Sequence, residues 1–390
     1  MNLKILFVTA DYPSRYYIGG QGVVVRETAL RLLARGHKVR VLGADKVYSN
    51  RWEVLPRREI DSGIEIFRHE TNTSRVKISQ FNLLPPMLRI RSVPFSIRHF
   101  LWADIIHFHN FWFTGFLMPL LYVALIMRKK FVYTPHYEDY ESIDPAMSYS
   151  YETIIKLFCK HATKVTAISK REARILSRYT KEIDIITWGV DIQRFREIAP
   201  LIRRKNRHTP VVLSIGTMCL RKNFVMLIRA MAEVPLPWKL IIVCSRIADL
   251  DYYEAVKRII KQSGLKNYVE IRIGISIGEL LNLYQQADLF VMPSLWEAFG
   301  LAAAEAMACG VPTILTSTCL IAEHFKNGES IIIVDVNDEK AMASKISELL
   351  KDRKKAVSIG KAGQEAIGKY FSWERVAIDF EKVYRNACHL

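Results

Sequence analysis

Asp288-Leu289-Phe290-Val291-Met292-Pro293-Ser294-Leu295-Trp296 leads into Glu297-Ala298-Phe299-Gly300-Leu301-Ala302-Ala303-Ala304-Glu305, and Ala306-Met307-Ala308-Cys309-Gly310-Val311-Pro312 follows directly. The first part reads as a short apolar strand, 289–292, closed by Pro293. The alanine-rich part reads as a helix over 300–309, with Gly310 where a left-handed cap would end it. A strand, a turn with glycine near the helix start and then a helix leave free backbone N–H groups at the positive end of the helix, which suits a phosphate. Glu297 stands just before the helix and Glu305 about a turn and a half inside it, so both can face one ligand. A carboxylate does not favour phosphate oxygens, but it accepts hydrogen bonds from sugar hydroxyls beside them. These residues therefore point to a nucleoside-diphosphate-sugar site. The spacing alone fits an ordinary surface loop with two solvated glutamates better.

Outward from this window, apolar strands and helical patterns alternate along the whole chain. Candidate strands on the C-terminal side of the break near 188–210 are 211–215, 240–243, 269–273, 289–292, 313–315 and 331–334. On the N-terminal side they are 4–9, 38–43, 64–69, 104–109, 130–134, 164–168 and 184–186. Residues 23–33 show helical spacing and end at Gly36, a reasonable cap. Nearly continuous apolar strands alternating with helices imply parallel, doubly wound sheets. The break contains Arg203-Arg204-Lys205-Asn206-Arg207, polar and without pattern, which reads as an interdomain linker. The fold class is thus α/β, two tandem Rossmann-like doubly wound domains with their strand ends around a shared cleft.

At 390 residues the chain has room for two full cores, and half of its residues are hydrophobic. The formal charge of +17 predicts an anionic partner. No zinc spacing, aromatic RNA-binding signature or basic helical arm supports nucleic acid, which leaves anionic membrane lipid as the better candidate. The six cysteines are scattered without paired spacing, mostly in apolar runs, and read as free thiols of a reducing compartment. The N-terminal stretch 1–9 is too short for a signal peptide and reads as the first strand. Residues 111–127 carry no charge over seventeen positions and precede Arg128-Lys129-Lys130, at the lower edge of a membrane-spanning length. Gly115 and Pro119 interrupt that stretch and strands flank it, so it reads as a buried crossover helix with a membrane-facing side.

The Glu297–Glu305 window, with Glu-Ala-Phe-Gly-Leu and Glu-Ala-Met-Ala-Cys-Gly-Val-Pro in place, resembles the E-x7-E signature of family-4 retaining glycosyltransferases of GT-B fold. The resemblance implies that Glu297 holds donor-sugar hydroxyls, that Glu305 holds the ribose diol, and that Phe299, Gly300 and Leu301 cradle the diphosphate. Gly19-Gly20-Gln21-Gly22 is not a dinucleotide fingerprint. It resembles the family's glycine-rich first loop, which places Gly20 and Gln21 beside the donor. Asp104-Ile105-Ile106-His107-Phe108-His109 resembles the family's fourth strand, which turns His109 toward the donor sugar; His107 reads as structural. His136, in Tyr133-Thr134-Pro135-His136, resembles an acceptor-side strand end. Gly216-Thr217-Met218-Cys219-Leu220-Arg221-Lys222 resembles the motif G-R-L-x-x-x-K, whose Arg and Lys neutralise the departing diphosphate. Lys222 matches the Lys, Thr217 stands in place of the Arg, and Arg221 is the neighbouring cation that would supply the missing charge. Residues 271–276, followed by helix 279–286, resemble the stretch packed on the nucleotide base, with Ile275 beneath it. Trp188-Gly189-Val190-Asp191 resembles an N-G-V-D turn with Trp replacing Asn.

From Ser372 onward, Trp373, Val376, Phe380, Val383 and Tyr384 recur at helical spacing, and in the family this last helix crosses back to the N-terminal domain. The implied division is 1–190 plus 372–390 as the acceptor-side domain and 208–371 as the nucleotide-sugar domain. The resemblance implies a metal-independent transfer of a hexose from a nucleotide-diphosphate sugar, with no cofactor because the nucleotide sugar is a substrate. Phe81 to Leu88, then Arg89, Arg91, Arg98, Phe100 and Trp102, mix apolar and basic character, as does the stretch 112–130. That mixture suits a lipid-linked or membrane-surface acceptor and a cytoplasmic protein resting on the inner membrane face. Competing readings are a soluble sugar or sugar-phosphate acceptor, and a non-catalytic nucleotide-sugar-binding protein.

Overall fold

The computed structural model describes residues 2–10, 12, 20–48, 52–72, 87–88, 93–109, 114–136, 145–197 and 209–389. The polar 203–207 linker, Gly19, Phe81 to Pro86, Arg89, Arg91 and Trp112 lie outside the described residues. The chain divides into two compact units, Met1–Gly189 with Trp373–Leu390 and Val190–Ser372.

The first unit is built on an eight-stranded sheet. Its strands are β1 (Lys4–Val8), β2 (Lys38–Ala44), β3 (Arg58–Asp61), β4 (Ile64–His69), β5 (Ile105–His109), β6 (Phe131–Thr134), β7 (Lys164–Ala167) and β8 (Ile183–Ile185). The order is β8-β7-β6-β5-β1-β2-β4-β3, all parallel except the antiparallel β3–β4 pair. β5 and β6 are buried at every residue and β1 at all but Lys4, as a sheet covered on both faces requires. Pairing of His107 with Phe7 and Val132, and of His109 with Thr134, sets the histidines of β5 at the sheet's C-terminal edge.

β3 escaped the sequence reading. Its residues Arg58-Glu59-Ile60-Asp61 are polar and mostly exposed, so no apolar run marks it. What forms it is the turn that follows, where Ser62 (φ 50) and Gly63 (φ 91) both take positive φ, the geometry of a tight hairpin.

The uncharged stretch 111–127 appears as a helix, Thr114–Ile126, of 13 residues with Pro119 inside it. Phe116, Leu117, Leu120 and Ala124 are buried, while Tyr122 and Ile126 are 54% and 82% exposed. No described helix is long and apolar enough to cross a membrane. The C-terminal helix Trp373–Cys388 returns to the first unit, where Glu381 ion-pairs with Arg35 from the turn after the Gly20–Ala34 helix.

The second unit carries β9 (Val211–Ile215), β10 (Lys239–Cys244), β11 (Val269–Ile273), β12 (Leu289–Met292), β13 (Thr313–Thr316) and β14 (Ile332–Val334). All pairs are parallel, in the order β11-β10-β9-β12-β13-β14. The chain steps outward from β9 to β11, then returns to β12 and steps outward the other way. The loops after β9 and β12 therefore part on either side of a switch point, where such sheets bind ligands. Beneath them Leu227, Trp238, Val291, Ile314 and Ile346 belong to one buried core. All six cysteines are free, four of them fully buried as small apolar groups.

Candidate functional site

At the switch point of the second unit, the loop after β9 ends in a short turn, Leu220–Lys222, and the loop after β12 carries Trp296 and Glu297. Lys222 Nζ and Arg221 Nη1 both donate to Glu297 Oε2, Arg221 at 3.0 Å. Arg221 also lies over the Trp296 ring, 4.6 Å from its centroid, and the Leu295 N–H donates to the Arg221 carbonyl at 2.8 Å. The Leu320 N–H holds the Glu297 carbonyl at 3.1 Å from the far side. Burial alone would raise the Glu297 pKa, but Lys222 and Arg221 override it and hold the carboxylate at about 2. One permanent anion against two cations leaves the cluster with a positive surplus. Oε1 of Glu297 makes no hydrogen bond among the described residues.

The helix beside this cluster is Leu301–Ala308, opened by Gly300 at φ 99 with no side-chain cap. Among the described residues, the N–H groups of Gly300, Leu301 and Ala302 find no acceptor, since no preceding turn supplies one, and the first intrahelical bonds run from Ala303 and Ala304 to the Gly300 carbonyl. Open donors at a helix start are an anion site in waiting.

Glu305 sits one turn further along the same helix. Tyr284, from the helix Ile277–Gln286, donates its hydroxyl to Glu305 Oε2 at 2.7 Å. Burial pushes the Glu305 pKa up to about 7, against the pull of the Tyr284 bond and of Arg194. Ile275 lies partly exposed in the turn before that helix, where Ser276 and Glu279 form a capping box.

In the first unit the two β5 histidines part company. Both ring nitrogens of His107 are satisfied, Nδ1 by the Tyr384 hydroxyl and Nε2 by Thr134 Oγ1, each at 2.7 Å. His109 Nδ1 meets His136 Nε2 at 2.9 Å, and the Trp188 indole N–H donates to His136 Nδ1 at 3.3 Å. His109 Nε2 is buried without a partner among the described residues. Burial holds all three imidazoles below their ordinary pKa, His136 at about 3, so they are neutral near pH 7. Gly20 and Gln21 open the Gly20–Ala34 helix after β1, while most of the loop before them lies outside the described residues.

The structure thus gathers Gly216, Arg221, Lys222 and Glu297, sets Gly300, Leu301 and Glu305 along one helix, and bonds His109 to His136 directly. Three participants had no role assigned in the sequence reading. Tyr284 gave no signal beyond an aromatic in a helical stretch, Trp296 is the immediate neighbour of Glu297, and Trp188 was visible only as a departure from a motif.

Residues 196–366 match the family described as glycosyl transferases group 1, and residues 18–194 match glycosyltransferase family 4. The chain belongs to the group 1, family-4 glycosyltransferases. This glycosyltransferase is 24% identical to the N-acetyl-alpha-D-glucosaminyl L-malate synthase of Bacillus anthracis, over 98% of its own length and 97% of the relative's. It is 25% identical to the D-inositol 3-phosphate glycosyltransferase of Thermobispora bispora, over 97% and 92% of the two chains. The solved structure of Anabaena HepE in complex with UDP and glucose shares the fold at a TM-score of 0.78, with 18% identity over 99% of this chain and 100% of that one. The glycosyltransferase has the GT-B architecture of two parallel-sheet Rossmann-like domains.

Proposed function

We propose that this glycosyltransferase moves a hexose from a nucleotide-diphosphate sugar to a hydroxyl acceptor, with retention at the anomeric carbon and no metal. The observation that carries the reading is Glu297 Oε2 bound by both Lys222 and Arg221 beside the open N–H groups of Gly300 and Leu301. The bond that breaks joins the anomeric carbon to a diphosphate oxygen, and its electron pair leaves with the diphosphate. Lys222, Arg221 and the helix start meet that growing charge with donors already in place. Glu297 keeps Oε1 for a hydroxyl of the transferred sugar, and Glu305 keeps its second oxygen for the ribose diol. Gly216 and Ile275 border the diphosphate and the base. The acceptor hydroxyl enters on the face the diphosphate leaves, and its proton passes to the departing phosphate oxygen. Thr217 leaves the family's Arg position uncharged, and Arg221 supplies the second cation.

A thermal-shift panel of UDP, GDP and ADP sugars tests the donor class. A ligand at ~100 times its dissociation constant adds roughly 2.7 kcal/mol of stability, and slow release of nucleoside diphosphate without acceptor separates an enzyme from a binding protein. If none of these sugars shifts the melt, the donor assignment fails.

For the acceptor, a membrane-surface glycan rests on exposed apolar residues of the first unit among cations. Ile97, Leu101, Tyr122 and Ile126 stand out of the surface near Arg98 and Arg128 in sequence, in a chain of net charge +17. A peripheral position at the inner membrane face belongs to the same reading. The second reading, a soluble carboxylic or sugar-phosphate acceptor, is favoured by relatives named for L-malate and D-inositol 3-phosphate. Cosedimentation with anionic vesicles decides between them: failure to bind at low salt removes the membrane reading.

A further inference from the structure

The hydrogen bonds around His109 leave its protons no choice of position. An indole nitrogen is a donor only, so the Trp188 N–H fixes His136 Nδ1 as an acceptor at 3.3 Å. A neutral ring carries one N–H, which for His136 must then lie on Nε2, 2.9 Å from His109 Nδ1. His109 Nδ1 accepts that proton's hydrogen bond, so the proton of His109 lies on Nε2. That atom is buried and without a partner among the described residues.

Such an orphan is costly, and most buried polar groups avoid it. The neighbouring His107, two residues away on the same strand, has both nitrogens satisfied. The relay is also held under backbone constraint. His136 takes φ 53, a left-handed conformation that is strained for a non-glycine residue. Gly189, next to Trp188, has no room for a side chain, since a Cβ there would stand 2.7 Å from the Trp373 ring.

We propose that Trp188 and His136 are positioning residues that fix His109 as a hydrogen-bond donor at Nε2, aimed at an oxygen of the sugar substrate. This rests on the transferase reading for the identity of the ligand, though the tautomer assignment stands apart from it. In this form His109 has no lone pair at Nε2 and is not a base there. It presents a neutral N–H to a hydroxyl or ring oxygen. The Trp in place of the family's Asn thereby has a role, since its indole sets the direction of the relay.

Long-range proton–nitrogen NMR on the full-length protein labelled with 15N-histidine reads the tautomers directly. Wild type is expected to show His136 and His109 both protonated on Nε2 and bare on Nδ1. Trp188→Phe removes the indole donor and should give a mixture of tautomers at both rings, with kcat down about tenfold, the worth of one buried hydrogen bond, and little change in KM for the nucleotide sugar. His109 protonated on Nδ1 in the wild type would overturn the proposal, even if the Phe variant does not fold. Unchanged tautomers and unchanged kcat in a folded Phe variant would overturn the positioning role. Correct tautomers in a protein that transfers no sugar would leave the relay intact and sink the transferase reading instead.

Discussion

A Cβ at position 216 would stand 2.8 Å from Cδ and Cε of Lys222, so the glycine is the space through which the lysine reaches Glu297. In Gly216→Ala the flexible lysine gives way before the backbone does. Its ammonium group then leaves the cluster while the core around β9 stays packed. We expect nucleoside-diphosphate release to slow toward the roughly 100-fold loss typical of one missing preorganised donor, with a melting temperature close to wild type. Steady-state kinetics beside a circular-dichroism melt check this, and a large drop in melting temperature with normal turnover contradicts it.

Lys222 and Glu297 should be strongly coupled in stability. Lys222→Met leaves the carboxylate with Arg221 alone, whereas Glu297→Gln leaves two cations facing each other. The double variant Lys222→Met/Glu297→Gln should be more stable than the sum of the single losses, with a coupling on the order of 1–3 kcal/mol in urea denaturation. The Glu297 pKa is depressed from 4.5 to about 2. Its contribution is therefore present above pH 4.5 and lost as pH falls toward 2, so Glu297→Gln should flatten acid unfolding in that window.

Much of this was legible in the chain, for reasons particular to its elements. β1, β5, β9 and β12 are predominantly apolar runs because both faces of a parallel sheet are covered, and such runs announce themselves. β3 stayed hidden because an exposed edge strand has no apolar period to read. Lys222 and Glu297 each carried a motif, but their pairing bridges 75 positions and follows from the switch of strand order, which local pattern does not encode. The Trp188–His136 bond spans 52 positions and depends on a left-handed backbone at His136, a conformation uncommon for any residue but glycine and marked by no local pattern.

Glu305 should make donor binding and fold stability answer pH in opposite directions. With its pKa raised by burial from 4.5 to about 7, the folded state binds a proton more tightly than the unfolded chain. Stability therefore falls as pH rises from 4.5 to 7, by up to about 3 kcal/mol. Donor affinity rises over the same range, because only the ionised carboxylate accepts from both ribose hydroxyls. Glu305→Gln should remove both trends and leave a protein more stable than wild type at pH 8 but weak in donor binding. Thermal melts between pH 5 and 8, with and without the donor, read both; parallel trends would mean that Glu305 does not face the ribose.

Tyr384 offers the control for the β5 histidines. Its hydroxyl reaches His107 from the C-terminal helix, and His107 in turn meets Thr134, which bonds Thr166 on β7. This chain ties the returning helix to three strands of the first unit and ends on no open atom. Tyr384→Phe should therefore cost about 1–3 kcal/mol, the penalty for one unsatisfied buried nitrogen, and leave kcat unchanged. His109→Ala also costs stability, because His136 Nε2 loses its acceptor, but unlike Tyr384→Phe it should lower kcat, since it removes the Nε2 that has no partner among the described residues. Urea denaturation and turnover measured on the two variants together separate a fastening histidine from a presenting one. Loss of turnover in Tyr384→Phe comparable to that in His109→Ala would put His107 in the chemistry after all.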